Sequence, residues 1–188
     1  MKLILHMLVT LTIIGIISGG LLSEVSEWAA PKIEAHRKAE TERAIFLVQP
    51  DAKSQKKIET VDFEVYRVFD ENNDPIGYAL PYEGNGFQGK IRLMVGIKNN
   101  LKELVGMQVL EQTETPGLGT KVTEDPFTNQ FVKLIAEPDV AWVKGAPPTN
   151  SNEIQTITGA TISSKAIVNI VNGGLQKLRE VEESGVEL

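Results

Sequence analysis

Ile91-Arg92-Leu93-Met94-Val95-Gly96-Ile97-Lys98-Asn99-Asn100-Leu101 is the stretch on which the fold turns. Ile91, Leu93, Val95 and Ile97 occupy every second position, the period of a strand with one buried face. Asn99-Asn100 then offers a two-residue turn, since Asn tolerates positive φ, and residues 101–110 return as the partner strand. Upstream, Val61, Phe63 and Val65 alternate with Asp62 and Glu64. That run ends in the turn Asp70-Glu71-Asn72-Asn73-Asp74-Pro75, and residues 76–80 form a further strand. Gly84-Asn85-Gly86-Phe87-Gln88-Gly89 is a glycine-rich connection between strands.

Downstream, Glu114-Thr115-Pro116-Gly117-Leu118-Gly119 is too rich in turn residues to continue a strand. Asp125-Pro126 reads as a helix start, with Asp as cap and Pro at the first position. Phe127, Phe131, Leu134 and Ile135 follow at helical spacing as core residues. Ala141-Trp142-Val143 and residues 154–157 read as short strands separated by a loop at 147–152. The last helix spans about 162–182, and its stripe of Ile167, Ile170, Val171, Gly174, Leu178 and Val181 packs on the sheet. Hairpins with a few helices laid against them define an α+β domain, an antiparallel sheet with packed helices.

Before the sheet the chain changes character. Residues 3–22 carry no charge, and twenty helical residues match the ~30 Å hydrocarbon core of a bilayer. A cleaved signal peptide is the rival reading, with Ser18-Gly19-Gly20 as its small-residue exit. The apolar run continues to Leu22 into a helical flank, which favours an uncleaved, single-pass anchor. Residues 23–46 read as a polar helix that Pro31 kinks or restarts, and residues 48–60 as a lysine-rich linker. The expected organisation is an anchor at 1–22, a juxtamembrane helix and linker at 23–60, and a folded domain at 61–188. Lys32, Arg37, Lys38 and Arg43 after the span place the domain in the cytoplasm by a strict positive-inside count. The nearest flanking charges, Glu24 and Glu27, are acidic, and large domains translocate regardless of such a count.

Composition removes several classes of function. The net charge of −6 provides no basic footprint for nucleic acid. With no cysteine, disulfides, zinc–thiolate sites and iron–sulfur ligation are excluded. His6 and His36 are the only histidines, so neither a histidine triad nor an H-E-x-x-H metal site can be assembled. The sequence offers no catalytic residue and no metal ligand set.

Chemistry gathers instead at Thr158-Gly159-Ala160-Thr161-Ile162-Ser163-Ser164. Two threonine hydroxyls flank a Gly-Ala turn where the last helix begins. Unpaired N–H groups and the positive dipole end favour an anion there, above all a phosphate. A hydroxyl at such a place is open to esterification by a phosphate-bearing cofactor; equally, Thr161 or Ser163 fits as a helix cap. The 84–89 loop lacks both the Lys-Ser/Thr of a P-loop and the spacing of a dinucleotide fingerprint. Glu114 and the Gly117-x-Gly119 turn either bring backbone amides close to a planar ligand or serve the turn alone.

An anchor, then E-T-P-G-L-G at 114–119, then T-G-A-T-I-S-S at 158–164, resembles the FMN-binding subunits of two related membrane redox complexes. These are the G subunit of the Rnf ion-translocating ferredoxin–NAD oxidoreductase and the C subunit of the sodium-pumping NADH–quinone reductase. The 84–89 loop is similar to a third signature of that family, and the short chain looks more like the Rnf protein. The resemblance implies one covalent FMN, joined by a phosphoester to Thr161 by a flavin transferase. Thr158, Gly159 and Ala160 would shape the turn, and Ser163 and Ser164 would hold the phosphate. Glu114, Thr115, Gly117 and Leu118 would lie in the loop against the isoalloxazine ring. It further implies an electron-relay subunit of an ion-translocating oxidoreductase, embedded through residues 3–22, partnered by the other subunits of an Rnf-type complex. The soluble domain would stand outside the cytoplasm, on the far side of the cell (inner) membrane. The alternatives are the equivalent quinone-reductase subunit and a flavin-free assembly or binding domain. One departure stands out: the family's recognition pattern has an aspartate six residues before the modified threonine, where this chain has Gln155, with Glu153 out of register.

Overall fold

The computed structural model describes residues 2–186; residue 1 of the expected anchor and residues 187 and 188 of the expected domain lie outside the described residues. The chain divides into two units, residues 1–40 and 41–188.

The first unit is helical throughout its described residues, as part of α1 (Lys2–Val48), which runs unbroken through Pro31. The proline removes one N–H donor, and the hydrogen-bond ladder continues on both sides of it. The apolar side chains of the uncharged run are exposed, and the helix is long and apolar enough to cross a membrane. Two of its threonines bond back to their own helix. Thr10 Oγ1 donates to the His6 carbonyl at 2.9 Å, and Thr12 Oγ1 to the Leu8 carbonyl at 2.9 Å. That is what a segment without access to water requires.

The second unit opens with the last two turns of α1. Thr41, Ala44, Ile45 and Val48 are its buried residues, at the i, i+3, i+4, i+7 spacing of one helical face. The three apolar ones share a cluster with Ala52, Tyr66, Val68, Ala79 and Met94. Five strands follow as an antiparallel meander: β1 (Ser54–Lys57), β2 (Tyr66–Phe69), β3 (Pro75–Asn85), β4 (Lys90–Lys98) and β5 (Leu104–Gln112). The period-two residues of β4 lie in the main core, with Met94 in the α1 cluster.

Three expectations shift here. The segment read as a linker contains β1, a short edge strand of Ser-Gln-Lys-Lys paired with β2. Charged side chains on an exposed edge block further pairing, and they also erase the hydrophobic alternation that would reveal a strand. The Val61–Phe63–Val65 alternation is not a strand: it is an irregular connection that buries Val65 fully and packs Val61 and Phe63 on the core. The Asn99-Asn100 turn is also longer than a two-residue hairpin. Leu101, not Asn, takes positive φ, at 52°. It does so because its side chain is buried and its carbonyl accepts from the Arg179 guanidinium at 3.0 and 3.2 Å.

Beyond β5 the chain makes a 3-10 turn (Gly119–Thr123), then α2 (Asp125–Thr128) and a second 3-10 turn (Asn129–Phe131). Glu124 is the cap, with Asp125 inside the helix. The expected long helix therefore lasts one turn. Lys133 takes φ 59°, and the Leu134 carbonyl accepts the Leu104 N–H at 2.9 Å, so pairing to the sheet outcompetes helix propagation. Strands β6 (Ala141–Val143) and β7 (Glu153–Gln155) form a separate parallel pair. Helix α3 (Thr161–Glu183) packs on β3 so closely that a Cβ at Gly174 would sit 2.9 Å from Leu80 Cδ2, and one at Gly84 would sit 2.6 Å from Ile170 Cγ1.

Candidate functional site

Three loops converge at the first turn of α3. The last of them leaves β7, where the Thr156 N–H bonds the Val143 carbonyl at 2.9 Å. Gly159 turns the chain with φ 87°, and Ala160 (φ −129°, ψ 33°) is the N-cap. No side chain caps the helix, so neither Thr161 nor Ser163 has the capping role that the sequence left open. The first intrahelical bond is Ser164 N–H to the Ala160 carbonyl, 2.9 Å. The N–H groups of Thr161, Ile162 and Ser163 precede it and have no acceptor four residues back in the helix.

The serines serve the scaffold. Ser164 Oγ donates to the Ala160 carbonyl at 2.9 Å and accepts the Ile157 N–H at 3.1 Å. Ser163 Oγ donates to Glu114 Oε2. Each hydroxyl has one proton, and both protons are committed. An anion at this turn is therefore offered backbone N–H groups rather than serine hydroxyls. Thr161, half-buried at the first helical position, forms no hydrogen bond through its hydroxyl among the described residues.

Glu114 is the node of the site. It is 3 % exposed. Its Oε1 accepts the N–H groups of Phe87 at 2.8 Å and Gln88 at 3.0 Å, while Oε2 takes the Ser163 hydroxyl. One buried carboxylate thus ties the loop after β5 to the loop between β3 and β4 and to α3. Two glycines leave it room. A Cβ at Gly86 would lie 2.4 Å from Glu114 Oε1, and one at Gly119 would lie 2.7 Å from Glu114 Cβ.

Between Glu114 and the 3-10 turn, Gly117 takes φ 75° and its N–H bonds Thr120 Oγ1 at 3.0 Å. This turn carries Leu118, 48 % exposed, to a position 3.3 Å from where a Gly159 Cβ would be. The result is an open cleft of about 450 Å³ with Thr115, Leu118, Gly119 and residues 158–163 on its walls, joined by Phe87 and Lys144.

Of the residues singled out from sequence, Thr115, Leu118, Thr158, Gly159, Ala160, Thr161 and Ser163 line this cleft. Glu114, Gly117 and Ser164 are absent from its lining and shape it from behind. Phe87 and Ile162, both exposed, and Lys144 were missed. Phe87 sits in a loop that the glycines had already marked; nothing in its own sequence surroundings marks Lys144. The Glu153 carboxylate is no stand-in for a carboxylate at position 155. It accepts the Thr149 N–H and the side chain and N–H of Asn150, which together lower its pKa to about 2.

The donor set suits FMN. Free N–H groups at a helix start suit a phosphate. Exposed Phe87, Leu118 and Ile162 provide for a flat apolar ring system. Gly159 keeps the space below Leu118 clear.

Comparison with known proteins agrees. Residues 86–176 match the FMN-binding domain family. The chain is 34% identical over 110 residues to the G subunit of the ion-translocating oxidoreductase complex of Methanosarcina acetivorans, covering 58% of this chain and 55% of that protein. It is 35% identical over 114 residues to the G subunit of the Na(+)-translocating ferredoxin:NAD(+) oxidoreductase complex of Acetobacterium woodii, covering 60% and 54%. Against the C subunit of the Na(+)-translocating NADH-quinone reductase of Vibrio vulnificus, identity is 34% over 126 residues, covering 63% and 48%. The chain thus spans about half the length of these curated relatives. The crystal structure of Shewanella oneidensis NqrC shares the fold, with TM-score 0.57 and 18% identity over 68% of this chain and 67% of that one. Residues 86–176 thus match the FMN-binding domain family, and the chain is similar to G subunits of ion-translocating oxidoreductase complexes and to C subunits of Na(+)-translocating NADH-quinone reductases.

Proposed function

We propose that this chain is the electron-relay subunit of an Rnf-type ion-translocating ferredoxin–NAD oxidoreductase, carrying one FMN esterified to Thr161. The observation that carries the reading is the Thr161 hydroxyl. It lies in the cleft at the first position of α3, is relieved of any capping duty, and stands beside unpaired N–H groups.

When bound, FMN supplies reversible uptake and release of electrons; the chain's residues bind and orient it. Attachment is a phosphoryl transfer. The Thr161 oxygen would form the O–P bond to the flavin's phosphate as the P–O–P bond of an activated flavin donor breaks, its terminal phosphate ester leaving and the hydroxyl proton passing to a base of the transferase. Leu118, Phe87 and Ile162 exclude water from the ring, and the Glu114 node keeps their loops in register. A covalent tether holds the flavin at high effective concentration where the surrounding compartment cannot replace it. The chain would be anchored through residues 3–22, with the FMN-binding domain outside the cytoplasm and the other members of the complex as partners. Protease accessibility in oriented vesicles tests that placement.

The Rnf reading is supported by the larger share of the G-type relatives that is matched, 55% and 54% against 48% for the C-type quinone-reductase relative. Likeness to the NqrC fold favours the quinone-reductase protein as the second reading; the proteins that co-purify with the chain separate the two. A flavin-free assembly domain is the third, motivated by Gln155 in place of aspartate. Ultraviolet fluorescence of the denatured polypeptide on a gel decides it: a fluorescent band supports the flavoprotein, and a dark band from cells that contain the transferase rejects it.

A further inference from the structure

We propose that Lys144 is the cation that binds the cofactor's phosphate, an assignment that rests on the FMN reading above. Four observations support it. The β6–β7 ladder pairs Val143 with Gln155 and continues with the bond from Thr156 N–H to the Val143 carbonyl. Lys144 therefore leaves the ladder beside the turn that carries Thr158 and Thr161, and it lines the same cleft. Second, its ammonium has no ion pair or hydrogen bond among the described residues. The nearby Lys165, one turn into α3, is instead held over the Trp142 ring at 3.6 Å from the centroid.

Third, the serine hydroxyls that sequence alone would assign to the phosphate donate to Glu114 and to the Ala160 carbonyl. The N–H groups of Thr161, Ile162 and Ser163 remain, with the Thr115 and Thr158 hydroxyls on the cleft wall, and none of these donors carries a charge. Fourth, this helix terminus already hosts one carboxylate, Glu114, bonded to Ser163. A second anion at the same partial positive charge meets repulsion unless a counter-charge accompanies it. A lysine on a flexible stem is suited to that task, acting as a point charge on phosphate.

The test uses the full-length chain in detergent, made without flavin transferase, titrated separately with FMN and with riboflavin. The wild type should bind FMN more tightly than riboflavin. Lys144→Gln should lose about tenfold in FMN affinity, the size of one charge-assisted hydrogen bond, with riboflavin affinity unchanged. Lys144→Arg should keep most of the FMN preference, and Lys165→Gln should match the wild type. An unmoved FMN-to-riboflavin ratio in Lys144→Gln would overturn the assignment while leaving the FMN reading intact. Equal loss for both flavins would also overturn it, by placing the lysine at the ring. A wild type that takes up no flavin and stays unmodified in the presence of transferase would overturn the FMN reading, and this assignment with it.

Discussion

Glu114 accepts a hydrogen bond from the Ser163 hydroxyl, and through that bond the loop leaving β5 is fastened to the first turn of α3. The same carboxylate holds the Phe87 and Gln88 N–H groups, so one side chain organises three walls of the cleft. Glu114→Ala leaves these donors without a buried acceptor. It should destabilise the domain by about 2–4 kcal/mol and lower flavin incorporation. Glu114→Gln retains an acceptor oxygen and should recover most of both. Thermal unfolding read beside in-gel flavin fluorescence distinguishes the variants. Equal behaviour of Ala and Gln would contradict the node.

Gly119 and Gly117 make the second prediction. A methyl group at Gly119 would press on Glu114 Cβ at 2.7 Å, backbone-near and rigid, and on Ser163 Oγ at 3.1 Å. Gly119→Ala should therefore cost about 1–3 kcal/mol as overpacking and reduce flavinylation. Gly117→Ala meets no neighbour within 4 Å but is strained by its φ of 75°, so it should cost about 1 kcal/mol. Melting temperatures of the two variants give the order.

Glu153 fixes a pH dependence. Its pKa is lowered from 4.5 to about 2, first by the Thr149 N–H and then by the Asn150 side chain. A carboxyl whose folded pKa is depressed contributes stability above its unfolded pKa and loses it as pH falls through the folded value. Stability of the wild type relative to Glu153→Gln should therefore decline between about pH 4.5 and pH 2 and be level above that window. A parallel pair of stability curves across that window would refute the bonding of this carboxylate.

Gln155 is the departure from the flavin-transferase recognition pattern. Its backbone is held by Gln130, with N–H to Oε1 at 2.7 Å and carbonyl to Nε2 at 3.2 Å, so a change of side chain leaves the β7 conformation in place. Gln155→Asp should raise the rate of flavin attachment in a time course with the transferase. A rate no higher than the wild type's would show that the carboxylate is dispensable here.

Much of this was legible in the residues, for identifiable reasons. The β4 alternation declares itself because one of its faces packs on the main core. The α3 stripe declares itself because Gly174 and its neighbours must meet β3 closely. β1 was not legible: its edge position selects lysines over apolar residues. The helix after Asp125 was overextended because Leu104 captures the Leu134 carbonyl, a long-range pairing that local spacing cannot encode. At the site, Thr161 and Leu118 announce themselves by motif. The structural duties of Glu114, Ser163 and Ser164 emerge only when the 84–89 loop is folded against them. Lys144 reaches the cleft through the β6–β7 pairing, so no linear pattern signals it.

In the proposed function the hydroxyl of Thr161 carries the flavin. Intact-mass analysis of the full-length chain, produced with a flavin transferase, tests it most directly. The wild type should gain one FMN moiety, Thr158→Ala should retain it, and Thr161→Ala should lack it completely. An unmodified wild-type mass, or a flavin adduct that survives Thr161→Ala, would contradict it.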